Sequence, residues 1–256
     1  MNKKIAATQP LVWAPFKGTT FLFDNPSPAL TLSLEQECFY KVNCIDDVPS
    51  ISFYQLLHAG LLQFDLEILM ANYSFCPLPF SSYHVTFLSE LNDGNKANLA
   101  TSYQQALDSS SAHSLLENEI LESIRPNNFS EKINSGIAFE FKELSMFNGS
   151  SVLVALLKPI SQDQSKYQQL IQRRKALIDT CLEKFMLAPI PQKTLDFEPH
   201  ITLGYFAHKD QGATAKNQLQ QWNSSIQSML KYQTIRFESF SLYAFNDMTS
   251  FLKKAP

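Results

Sequence analysis

The chain has 256 residues, 45% of them hydrophobic, 12% aromatic and 18% charged, with a formal net charge of −3 and a pI near 6.0. That length and aromatic load imply a packed core and exclude low-complexity disorder. The mild acidity excludes a global basic field of the kind that grips long nucleic acid non-specifically.

In chain order, residues 1–15 read as an irregular arm. Lys3 and Lys4 precede a few small apolar residues, but Thr8, Gln9 and Pro10 break the run too early for a secretory signal. Phe16 to Phe23 reads as a strand, closed by the turn signal Asn25-Pro26-Ser27-Pro28. Residues 30–50 are ambiguous. Phe53, Leu56, Leu57 and Leu61 fit an amphipathic helix over Ser52 to Gln63. Phe64 to Leu69 fits either a strand or an extension of that helix. Pro77 and Pro79 interrupt regular structure, and Ser82 to Leu88 follows as a β-branched and aromatic strand. Residues 92–131 are polar, with one helix expected over Leu115 to Ile124, and read as an insertion or connector. Strands over Ile137 to Leu144 and Ser151 to Leu157 flank Asn148-Gly149, a hairpin signal. Gln164 to Leu187 is the longest helix candidate, ended by Pro189 and Pro191. A strand from Phe197 to Tyr205, a helix from Ala213 to Leu230 and one or two strands over Thr234 to Phe245 complete the chain. Hairpins outnumber clean βαβ units, so the fold class is α+β.

Two tetrapeptides stand out, His84-Val85-Thr86-Phe87 and His200-Ile201-Thr202-Leu203, each on a strand that follows a proline break. Side chains alternate along a strand, so each His shares a face with its Thr while the apolar pair faces the other way. One such match at a given His has a chance of roughly 1–2%, and two among five histidines well under about 1%, so the pair outweighs a coincidence. In-line cleavage of a phosphodiester needs a base on the attacking oxygen and an acid on the leaving oxygen. Two imidazoles with ordinary pKa values near 6.5 can divide those tasks, and two threonine hydroxyls can donate to the non-bridging oxygens. Neither motif has a carboxylate cluster of ligand type, so no metal and no cofactor are expected. Which His is the base is not legible.

The paired motifs, with their contexts Ser82 to Phe87 and Phe197 to Tyr205, resemble those of the 2H phosphoesterase superfamily, and are similar to an uncharacterised bacterial branch of it. That superfamily takes in 2′-5′ RNA ligase-like proteins, cyclic phosphodiesterases and 2′-5′ oligoadenylate phosphodiesterases. The resemblance implies one bilobal catalytic domain over 1–256, with pseudo-symmetric antiparallel sheets lining a central groove and helices outside. It implies a metal-independent phosphodiesterase acting on RNA-type linkages, with His84 and His200 catalytic and Thr86 and Thr202 on the phosphate. The long stretch between the motifs makes 92–131 the expected insertion. Arg173-Arg174-Lys175 sits where that branch carries basic residues, which offers Arg174 as a phosphate contact; Tyr243 is offered as a base-stacking residue. The rival readings are a non-catalytic binder of a nucleotide or RNA end, and a 2′-5′ RNA ligase.

Glu198, two residues before His200, is a candidate to orient that imidazole. His58, His113 and His208 lack a partner pattern and read as structural or surface residues. Cys38, Cys44, Cys76 and Cys181 lack C-x-x-C spacing and read as reduced, mostly buried thiols, a disulfide being open. With no run of about 18 apolar residues, the expectation is a cytoplasmic monomer whose partner is a nucleotide or short RNA and not a membrane.

Overall fold

The computed structural model describes residues 1–25, 29–32, 38–43, 52–126, 128–187 and 196–255. The turn expected at 25–28 falls largely outside these residues, as do Cys44, Pro189 and Pro191. Residues 1–15 are not irregular: β1 (Ile5–Thr8) and β2 (Leu11–Trp13) pair as an antiparallel hairpin, with Ile5 buried in the core and Lys4 left at the surface of a cleft. β3 (Gly18–Phe23) follows as expected, and the ambiguous stretch supplies β4 (Ala29–Leu32) and β5 (Cys38–Lys41).

A helix over Ser52–Leu62 buries Phe53, Tyr54, Leu57 and Leu61. Its neighbour Leu66–Tyr73 is a separate helix rather than a strand, because Asp65 accepts from the Ile68 N–H and caps a new start. β6 (Phe75–Pro77) and β7 (Thr86–Asn92) come next. The single helix expected over Leu115 to Ile124 is two, Ala112–Leu116 and Glu119–Glu122. Asn118 breaks it by accepting from the N–H groups of Ile120 and Leu121. β8 (Ser130–Phe147) and β9 (Val152–Pro159) form a hairpin whose turn holds Asn148, Gly149 and Ser150 at positive φ. The long helix runs Gln164–Leu177 and continues through a π turn, Ile178–Leu182, to Phe185. β10 (His200–Phe206), the helix Leu219–Leu230, β11 (Thr234–Phe245) and β12 (Phe251–Lys254) close the chain.

Every pairing among these strands is antiparallel. One path runs β4-β5-β12-β11-β8-β9-β10-β6, and β11 branches to β3, which carries β7. This branch positions the site. The second half of β11 pairs with β3 over Phe240 to Phe245, and its first half pairs with β8 from Thr234. The two arms of the branch curl until β7 and β10 meet again at one bridge, Val85 to Ile201. Phe23 is the hub behind that closure: the rings of Phe87, Phe139, Phe197, Phe237 and Phe240 lie 4.9–6.4 Å from it. Burying each such side chain stabilises the fold by roughly 1.5–3 kcal/mol, so the aromatic load is largely core. Cys76 and Cys181 are buried free thiols, and burial pushes the Cys76 thiol up to about 11.

Candidate active site

The alternation read from the motifs holds on both strands. Val85, Phe87, Ile201 and Leu203 are buried in the core, while His84, Thr86, His200 and Thr202 all line one cleft of about 280 Å³. The Val85–Ile201 bridge explains why: it clamps the two motif strands side by side, so residues flanking it on both chains open to the same side.

Both imidazoles are held in the same way. His84 Nδ1 lies 2.7 Å from the Ser82 carbonyl oxygen, and His200 Nδ1 lies 2.7 Å from that of Glu198. A carbonyl oxygen only accepts, so each Nδ1 carries the proton and each Nε2 is left as the reactive nitrogen. Neither Nε2 has a protein partner among the described residues. Each ring also rests on an aromatic neighbour, His84 on Phe251 at 4.3 Å and His200 on Phe147 at 4.9 Å. It is thus the backbone of Glu198, not its carboxylate, that orients His200.

The electrostatics separate the pair. Burial drives His84 down to about 4, against the support of its Ser82 hydrogen bond, and the charges of His200 and Lys4 push it the same way. His200 is also lowered by burial, but its hydrogen bond to Glu198 and the Glu198 charge oppose that. His84 is the ring held more firmly neutral.

Each motif ends in a β-bulge. On β7 the partner of Leu22 is Thr86 and that of Phe21 is Leu88, so Phe87 is the extra residue. On β10 Thr202 faces Val154 and Gly204 faces Leu153, so Leu203 is extra. A bulge reverses the side-chain alternation. Ser89, five residues after His84, and Tyr205, five after His200, therefore join the cleft lining. Gly204 is required here, because a Cβ would lie 2.4 Å from the Phe75 ring and 2.6 Å from the Cys76 carbonyl.

Lys4, on the hairpin before β3, is the one lysine or arginine among the described lining residues. Its Nζ donates to the Tyr205 hydroxyl at 3.0 Å and sits 4.8 Å over the Phe16 ring and 4.6 Å over that of Tyr205. Sequence reading missed it, since nothing in an arm of small and polar residues signals that it folds back onto strands far along the chain.

Two residues expected at the site lie elsewhere. Tyr243 is fully buried, and its hydroxyl donates to Asp24 Oδ1 at 2.8 Å. The last six residues of β11 are all buried, so its alternation has no solvent face to offer. Arg174 is buried under β7, where its Nε donates to the carbonyl of Phe87 at 2.8 Å. It thereby serves the bulge from behind rather than a phosphate in the cleft. Arg173 instead pairs with Glu131. His58 packs on Phe80 and His113 on Phe39 as structural residues, whereas His208 lines a neighbouring cavity. No group of three His, Cys, Asp or Glu side chains able to hold a metal occurs among the described residues. No helix among them is long and apolar enough to cross a membrane.

A family model described as the 2′-5′ RNA ligase superfamily matches residues 84–242. No curated protein matches the chain in sequence. Among solved structures, a conserved protein of unknown function from Agrobacterium tumefaciens superposes with a TM-score of 0.57 at 14% identity, over 100% of this chain and 90% of that one. Two structures of Usb1 from Kluyveromyces marxianus, one with uridine monophosphate, give TM-scores of 0.38 and 0.39 at 10% and 11% identity, each over 85% of this chain and 96% of theirs. At these identities the likeness to the Agrobacterium protein is one of fold.

Proposed function

The chain belongs to the 2′-5′ RNA ligase superfamily, and we propose that it is a phosphodiesterase that opens RNA-type linkages, 2′,3′-cyclic phosphates or 2′-5′ bonds, with His84 and His200 as base and acid. The observation that carries this reading is the pair of Nδ1-anchored imidazoles on one cleft with both Nε2 atoms unengaged. His84, held neutral, takes the proton of the attacking water as its oxygen bonds to phosphorus. The bond to one ribose oxygen breaks, and His200 Nε2–H delivers a proton to that oxygen. For a 2′-5′ link the attacking group is the neighbouring 3′-hydroxyl, and the product is a cyclic phosphate. Thr86 and Thr202 donate to the non-bridging oxygens, where charge accumulates, and the Lys4 ammonium adds to the field that favours it.

Two consequences are measurable. The protein should turn over a 2′,3′-cyclic nucleotide or a 2′-5′ dinucleotide in the presence of EDTA, and Thr86→Val or Thr202→Val should lower kcat by about 10²-fold. Stabilisation by these ligands without product would contradict an enzyme, and product only from paired RNA ends would point to ligation. The second consequence is a pH profile. Activity needs His84 neutral and His200 protonated, so kcat/KM should fall as pH drops through about 4, where His84 takes up its proton. It should fall again as pH rises through the lowered value of His200. The optimum therefore lies on the acid side of 6.5, and the kcat profile moves to higher pH because a bound phosphate anion favours both protonated rings. A kcat/KM optimum above pH 7.5 would refute this division of roles.

A further inference from the structure

A second cavity of about 560 Å³ adjoins the catalytic cleft and shares four lining residues with it, Lys4, Asn148, Val152 and Tyr205. Lys3 and Lys209 also line it, together with a single carboxylate, Asp210. Several cations elsewhere in this chain of net charge −3 are paired, among them Arg125 with Glu90, Lys253 with Asp24, Lys166 with Asp163 and Arg173 with Glu131. Among the described residues Lys3, Lys4 and Lys209 make no ion pair. Lys3 Nζ donates to the Asp93 carbonyl at 3.4 Å and lies 5.5 Å over the Phe16 ring, and Lys209 lies over the Gly149 turn. Three ammonium groups left without a carboxylate partner beside a phosphate cleft form a local positive field that the chain as a whole does not have.

We propose that this second cavity holds the neighbouring phosphate of an oligonucleotide whose terminal phosphodiester lies between His84 and His200. The proposal rests on the phosphodiesterase reading and narrows it: the substrate class is an oligonucleotide end rather than a lone cyclic mononucleotide. Tyr205, common to both cavities, marks the path between the two phosphates, and its ring is half of the cradle that fixes Lys4. Asp210 offsets one of the three positive charges and leaves the balance positive.

The test is equilibrium binding of uridine 3′-monophosphate and of the dinucleotide UpUp, both ending in a 3′-phosphate, to the full chain and to a Lys3→Gln/Lys209→Gln variant. These side chains stand at the cavity surface, and thermal melting of the variant verifies its fold. UpUp should bind the native chain about tenfold more tightly than the mononucleotide, with a log–log salt slope steeper by about one. The variant should lose most of that advantage while its affinity for the mononucleotide stays unchanged. Equal affinities in the native chain, or an equal loss on both ligands in the variant, would overturn the second subsite alone. Failure of both ligands to bind the native chain would instead overturn the phosphodiesterase reading, and this proposal with it.

Discussion

His84→Asn and His200→Asn are each expected to lower kcat/KM on a cyclic phosphate or 2′-5′ substrate by about 10²–10⁴-fold, the contribution of one positioned proton transfer. Asparagine places an N–H close to the position of Nδ1, so it keeps the hydrogen bond to the Ser82 or Glu198 carbonyl and removes only Nε2. The loss should therefore come without a comparable fall in thermal stability. The double variant should lose little more than the worse single one, because an acid and a base that act in one step are not additive. Independent, multiplying losses would mean that the two rings work in separate steps.

Arg125→Met should be the most damaging change to the fold, destabilising it by about 3–5 kcal/mol. Arg125 Nε lies 2.9 Å and 3.0 Å from the two oxygens of Glu90, and both side chains are fully buried. Thr19 donates to the same carboxylate at 2.6 Å. Without Arg125 that carboxylate stays buried with one neutral donor. A second change, Glu90→Gln, should recover much of the loss, since breaking a buried pair costs more than deleting it. Denaturant unfolding of the two variants decides this; equal stability of Arg125→Met and the native chain would show that the pair is not structural. Glu90 sits on β7 and Arg125 in the segment 92–131, so the ion pair ties that connector to the strand that follows His84.

The core of the site was legible because it depends on local rules. Alternation puts His84 with Thr86 and His200 with Thr202, and the apolar partners of each tetrapeptide bury as that pattern requires. What lies one step beyond the motifs was not legible. The bulges at Phe87 and Leu203 arise from register against β3 and β9, which no local pattern encodes, and they recruit Ser89 and Tyr205. Lys4 reaches the cleft through a hairpin fixed by Ile5 in the core, a contact of long sequence separation. Tyr243 and Arg174 look like surface ligands by residue type alone; burial on a two-sided strand and beneath β7 assigns them to Asp24 and to the Phe87 carbonyl instead. In the fold, Asp65 and Asn118 act as helix caps that hydrophobic periodicity does not register.

The most direct measurement is a crystal structure with a 3′-nucleotide bound. The phosphate should sit between the two rings, with His84 Nε2 and His200 Nε2 each about 2.7–2.9 Å from a different phosphate oxygen and both threonine hydroxyls turned toward it. A phosphate touching only one imidazole, or bound outside the cleft altogether, would contradict the account.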